Sequence, residues 1–106
     1  MRQFCVYKNC NAATRSVYPL LLNVQSDLIS ETGTRVVVPM VPIGRGRHPP
    51  AITSLAPIMN VNENEYVLVV PLLAAAAIPD LGKLEADLSH ERPAIMAALD
   101  LLIPGI

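Results

Sequence analysis

The chain has 106 residues, a net charge of −1, 52% hydrophobic residues and 16% charged ones. This is one domain's worth of sequence, too apolar for disorder. Its scattered lysines and arginines form no basic stripe of the kind that tracks phosphates, which disfavours nucleic acid as the main partner without excluding a partner that itself handles DNA.

The opening Met1-Arg2-Gln3-Phe4 lacks the apolar core of a signal peptide. Residues 3–8 set Phe4 and Val6 against Gln3, Cys5 and Tyr7, the alternation of an early strand. Asn9 to Thr14 is a turn-type cluster. Cys5 and Cys10 are too close, and too far from any histidine, for a metal site; a buried or edge thiol plus a loop thiol is the expectation, both reduced in the cytosol.

Val17 to Val24 is a second apolar segment, and Pro19 predicts an edge strand or a bulge there. The polar stretch Gln25 to Gly33 carries two adjacent apolar residues, Leu28 and Ile29, either tucked in or offered to a partner. Arg35 to Ile43 is β-branched, but Pro39 and Pro42 argue against a long, regular central strand. Gly44 to Pro50 contains Arg45, Arg47 and His48. With no strand-to-helix context, a solvated loop is favoured over a phosphate-binding turn.

Leu55 to Val61 and Tyr66 to Leu72 are expected as paired strands around the polar turn 62–65. Ala74 to Ala77 is a small-residue run, suited to close backbone approach or to filler, and Asp80 to Asp87 is expected as a polar connection. The longest apolar run, Tyr66 to Ile78, is broken by Pro71 and falls short of the roughly 18–20 residues of a spanning helix, so a cytoplasmic protein with no membrane partner is expected.

The clearest helix comes last. Ser89 is its expected N-cap, with regular helix from near Arg92 and Pro93 in the first turn. Ile95, Leu99, Leu102 and Ile103 form one apolar face opposite Ala97, Asp100 and Leu101. Pro104 stops the helix and Gly105 frees the backbone to turn before the terminal Ile106. The predicted class is mainly β with a C-terminal α-helix: short strands in a curled sheet, then one helix, as a single domain over residues 1–106.

No catalytic constellation emerges. His48 and His90 lie outside any triad or metal motif, and the acidic pairs Glu63/Glu65 and Asp87/Glu91 suit a solvated turn and a helix start. The expectation is a protein without catalytic residues, metal or cofactor. Its composition, more apolar than a small monomer needs, points to surface buried against another chain.

Five segments carry a family resemblance: QFCVYKN (3–9), NVQSDLIS (23–30), TRVVVPM (34–40), ADLSHE (86–91) and the final Gly105-Ile106. Their order and spacing resemble the CcdB toxins of plasmid-maintenance and chromosomal toxin–antitoxin modules. The stretch Gly44 to Ala77 resembles the family only in its strand pattern. The resemblance implies an SH3-like barrel-type antiparallel sheet with a C-terminal helix, in a two-fold homodimer. It also implies a non-enzymatic topoisomerase poison that binds the DNA gyrase A subunit, traps the cleaved gyrase–DNA complex, and is neutralised by a CcdA-like antitoxin.

By position, the resemblance assigns gyrase binding to Leu28, Ile29, Asp100, Pro104, Gly105 and Ile106. Two positions depart from the family pattern. Asp100 stands for an asparagine and adds a charge. Pro104 stands where the best-known member has a tryptophan, so a stacking anchor is replaced by a small rigid ring. Two other readings compete: a non-toxic dimer of this fold that keeps antitoxin binding, and a MazF-type ribonuclease toxin. The ribonuclease would need a basic groove and an acid–base pair.

Overall fold

The computed structural model describes residues 1–28, 33–43 and 55–102. Seven strands form one antiparallel sheet there: β1 (Cys5–Asn9), β2 (Leu20–Asn23), β3 (Thr34–Pro42), β4 (Ile58–Val61), β5 (Asn64–Leu68), β6 (Ala74–Ala77) and β7 (Leu81–Asp87). A single helix, α1 (Arg92–Leu102), follows. The sheet order is β4-β5-β3-β2-β1-β7, with β6 paired to β3 off this path. Asn62, at the tip of the β4–β5 hairpin, donates from Nδ2 to the Glu85 carbonyl of β7 at 3.1 Å. That bond draws the two ends of the path together, so the sheet is a curled half-barrel.

The prolines do not shorten β3, which is the longest strand at nine residues. Its first half pairs with β6 and its last residues with β5, along the same side. The Pro39 carbonyl accepts from the Val69 N–H at 3.0 Å, so the Pro39 nitrogen faces that side too, where β3 passes from one partner to the other. A missing N–H costs nothing at that gap. Pro42 faces the β2 side, two residues beyond Met40, the last residue paired with β2. The expectation of an irregular β3 is therefore corrected: both prolines occupy positions with no ladder bond to lose.

Three further expectations change. β2 lies between β1 and β3 and is no edge strand. Pro19 precedes it, and its carbonyl accepts from the Asn9 N–H at 2.9 Å. The alanine run is a strand, and the polar connection after it is mostly β7, paired with β1 through two register shifts. In β7 a Cβ on Gly82 would lie 2.5 Å from Cys10 Sγ and 3.3 Å from the Lys8 carbonyl, so a larger residue there would displace the Cys10 side chain and press on β1. Finally, the hairpin occurs as expected but is tighter. β5 begins at Asn64 and ends at Leu68, and Val70–Leu72, around Pro71, is a 3-10 turn.

The hairpin turn has Asn62 at φ 51° and Glu63 at φ 71°, both left-handed, the signature of a two-residue type I′ turn. Asparagine tolerates this backbone and glutamate does not. Glu63→Gly is expected to raise stability by about 0.5–1 kcal/mol, read as a higher urea midpoint at unchanged slope.

The main core lies between the sheet and the helix. Phe4 and Val6 point into it as the alternation predicts, and meet Leu22, Val38, Leu68, Leu88, Ile95 and Ala98. The opposite face of β1 is covered as well: Cys5 and Tyr7 pack with Leu21, Val37 and Leu81 in a smaller second cluster. Cys5 is a buried free thiol and Cys10 an exposed one, as expected.

Candidate functional site

Leu28 is the most exposed large apolar residue described, with 94% of its surface open to solvent. The turn that carries it, by contrast, is tied to its neighbours by side chains of the turn. Buried Asn23 at the end of β2 accepts from the Gln25 N–H at 3.1 Å and donates from Nδ2 to the Arg2 carbonyl at 3.0 Å. The Gln25 side-chain oxygen accepts from the Val36 N–H of β3 at 3.1 Å. Ser26 Oγ accepts from the Leu28 N–H at 3.2 Å, and the Asp27 carboxylate accepts from the Gln3 N–H at 2.7 Å. A leucine on a turn tethered by its neighbours, with its own side chain in water, is offered outward. The alternative, a tucked-in Leu28, is excluded.

The second element is α1. It begins at Arg92 as expected, after a 3-10 turn over Ser89–Glu91. Ser89 does not act as the expected N-cap acceptor. Its own N–H donates to Asp87 Oδ1 at 2.8 Å, so the capping carboxylate comes from the last residue of β7. Ile95 and Ala98 are buried, and Met96, Leu99 and Leu102 pack partly buried on the core. Ala97, Asp100 and Leu101 are exposed, as the periodicity predicts. Asp100 thus sits on the helix face turned away from the core, available to a partner.

Hydrogen bonds from Ser89, its hydroxyl first and its N–H second, hold the Asp87 carboxyl below its ordinary range, with further help from the charges of Arg2 and His90. A lowered native pKa contributes stability that is present above the unfolded value and is lost as pH falls through the native one. Asp87→Asn is therefore expected to flatten the acid limb of a melting-temperature profile taken below about pH 5. Arg2 Nη2 also approaches Asp87 Oδ2 at 2.6 Å, an exposed ion pair that adds little net stability.

Of the residues assigned to gyrase binding, Leu28 and Asp100 are described and both are exposed. Ile29, Pro104, Gly105 and Ile106 lie outside the described residues, as do Ile103 of the helix face and Arg45, Arg47 and His48 of the arginine loop. Among the described residues no group of three or more histidines, cysteines, aspartates or glutamates is placed to hold a metal ion. No described helix is long and apolar enough to cross a membrane.

Sequence reasoning missed two features. One is a groove of about 370 Å³ walled by the alanines of β6 and floored by Leu21, Val37 and Pro39, with Asn9 and Asp80 among its polar lining. It became visible only once Ala74–Ala77 proved to be a strand. The other is the part played by Gln3, Asn23 and Asp27 around Leu28. These residues lie in the segments 3–9 and 23–30 that carry the family resemblance, but their bonding is long-range and has no signature in spacing.

The geometry has an exposed aliphatic on a pinned turn and a terminal helix docked by one face. The comparison with known families agrees with it: the family model described as CcdB protein matches residues 3–105, nearly the whole chain, and favours neither competing reading. The chain belongs to the CcdB family, toxins of toxin–antitoxin modules that poison gyrase rather than catalyse a reaction.

Proposed function

We propose that this protein binds the A subunit of DNA gyrase as a cytoplasmic homodimer, traps the gyrase–DNA complex in its cleaved state, and is neutralised by a CcdA-like antitoxin. Family membership supports the general role. The observation that carries the specific reading is Leu28, 94% exposed on a turn whose Gln25 and Asp27 side chains accept backbone N–H bonds from two other segments. A side chain so placed contributes nothing to the core and has its apolar area free for a partner.

The mechanism needs no bond-making by the toxin. A ligand shifts a conformational equilibrium by as much as its affinity differs between the states. A protein that fits only the open, DNA-cleaved form of gyrase holds the enzyme there. A two-fold dimer presents the same patch twice to a two-fold target, which suits gyrase's paired A subunits. The contacts would come from Leu28 and Ile29 on one element, and from Asp100 and the segment Pro104–Ile106 at and beyond the end of α1. Proline at 104 supplies less contact area than an aromatic ring and stiffens the segment, which lowers the ordering entropy lost on binding.

The test is calorimetric titration of a gyrase A fragment, paired with a plasmid-cleavage assay on whole gyrase. Binding at micromolar or tighter affinity with accumulation of linear DNA is expected. A folded protein that neither binds the fragment nor stabilises cleavage overturns the proposal.

A further inference from the structure

The segment Arg2–Phe4 touches both elements of the proposed site. Toward the Leu28 turn, the Gln3 N–H donates to Asp27 Oδ1 at 2.7 Å and Gln3 Nε2 donates to the Val24 carbonyl at 3.2 Å. The Phe4 N–H donates to the Asn23 carbonyl at 2.6 Å, and Asn23 Nδ2 returns a bond to the Arg2 carbonyl at 3.0 Å. Toward the helix, the Phe4 carbonyl accepts from the Leu88 N–H at 2.8 Å. Arg2 meets Asp87, the residue that caps the turn before α1. The Arg92 guanidinium, on the first residue of α1, lies 5.3 Å from the centre of the Phe4 ring.

Phe4 holds this junction with a left-handed backbone, φ 64°, which a bulky residue adopts only where its surroundings over-determine it. That conformation lets one residue bond the end of β2 through its N–H and the end of β7 through its carbonyl. Its ring is buried at the same time.

We propose that Arg2–Phe4 is a clasp that holds the Leu28 turn and the start of α1 in one fixed relation, with Asp27 and Gln3 as the positioning residues that present Leu28. The inference rests on Leu28 being a gyrase contact, as read above. Asp27 acts through Leu28: its carboxylate pins the residue next to Leu28 to the N-terminal segment. Two effector elements from distant parts of the chain then reach a partner already oriented, and the ordering entropy otherwise lost on binding is reduced.

The experiment compares Asp27→Ala, Asp27→Asn and Arg92→Leu by amide hydrogen exchange, melting temperature and affinity for a gyrase A fragment, with Asp27→Ala repeated in a Leu28→Ala background. Asp27→Ala is expected to speed exchange at the Gln3 and Leu28 amides about tenfold without moving the melting temperature, and to weaken binding about tenfold. Asp27→Asn, whose Oδ1 still accepts, restores both. Arg92→Leu, altered on the helix side alone, speeds exchange at the same two amides by about threefold. In the Leu28→Ala background the affinity loss from Asp27→Ala shrinks to less than about twofold, because the residue it positions has gone. Unchanged exchange at Gln3 and Leu28 in either Asp27→Ala or Arg92→Leu overturns the clasp, and full additivity with Leu28→Ala overturns the positioning role. A chain that fails to bind gyrase refutes the proposed function alone, since the exchange measurements still decide the clasp.

Discussion

Ile95→Ala is expected to destabilise the protein by about 3 kcal/mol, within the roughly 2–5 kcal/mol range of such truncations. Ile95 has no solvent-exposed surface, and α1 buries only one other residue fully, Ala98, which has almost no side chain to contribute. Met96, Leu99 and Leu102 pack beside it and are only partly buried. Isolated helices of this length are marginal in water, so α1 persists because it is docked, and Ile95 is the main anchor. A domain of this size has a total stability of roughly 5–15 kcal/mol, so the loss is a large fraction of it. The melting temperature should fall by more than about 10 °C. Leu101→Ala, at a position 54% exposed on the same helix, should change stability by no more than about 0.5 kcal/mol. Urea unfolding of both variants checks the contrast, and a loss below about 1 kcal/mol for Ile95→Ala would show that α1 is not docked through that side chain.

This helix was legible because its signals are local. Apolar residues repeat at helical spacing, Pro93 sits in the first turn, and the exposed face carries Asp100. Strands with strong patterns were legible for the same reason, as in the hairpin around Asn62 and Glu63. Elements whose strand character depends on their neighbours were not. Ala74–Ala77 has no alternation to read and is a strand because β3 offers it a free edge. Leu81–Asp87 mixes glycine, lysine and glutamate with three apolar residues, and two register shifts against β1 blur what alternation remains. Pro39 and Pro42 looked like breakers because a sequence does not reveal which side of a strand lacks a neighbour. The candidate site divides in the same way. The adjacent aliphatics Leu28 and Ile29 stand out in a polar stretch, whereas the bonds from Asp27 to Gln3 and from Asp87 to Ser89 depend on where the chain returns.

Leu28→Asp is expected to weaken binding to a gyrase A fragment by at least about thirtyfold while leaving the folded state intact. With 94% of its surface in water, Leu28 stabilises nothing in the free protein, so its replacement has no cavity to create. Its apolar area gains only when a partner covers it, and full burial of a leucine side chain is worth about 1.5–3 kcal/mol. The aspartate forfeits that gain and adds a charge to be desolvated in the complex, so a loss of 2 kcal/mol or more follows, about thirtyfold in affinity. The departure at Pro104 raises the stakes. On the proposed reading, the absence of an aromatic anchor shifts a larger share of the binding energy to the remaining apolar contacts, and Leu28 is expected to be a hot spot. Leu28→Ala, which deletes area without adding charge, should lie between wild type and Leu28→Asp. Deleting Pro104–Ile106 should likewise abolish toxicity without unfolding the protein, since the residues that dock α1 precede it. Calorimetry against the gyrase fragment, with a melting curve on each variant, separates binding from folding. A Leu28→Asp protein that melts like wild type and binds like wild type removes Leu28 from the interface, and with it the observation on which the gyrase reading stands.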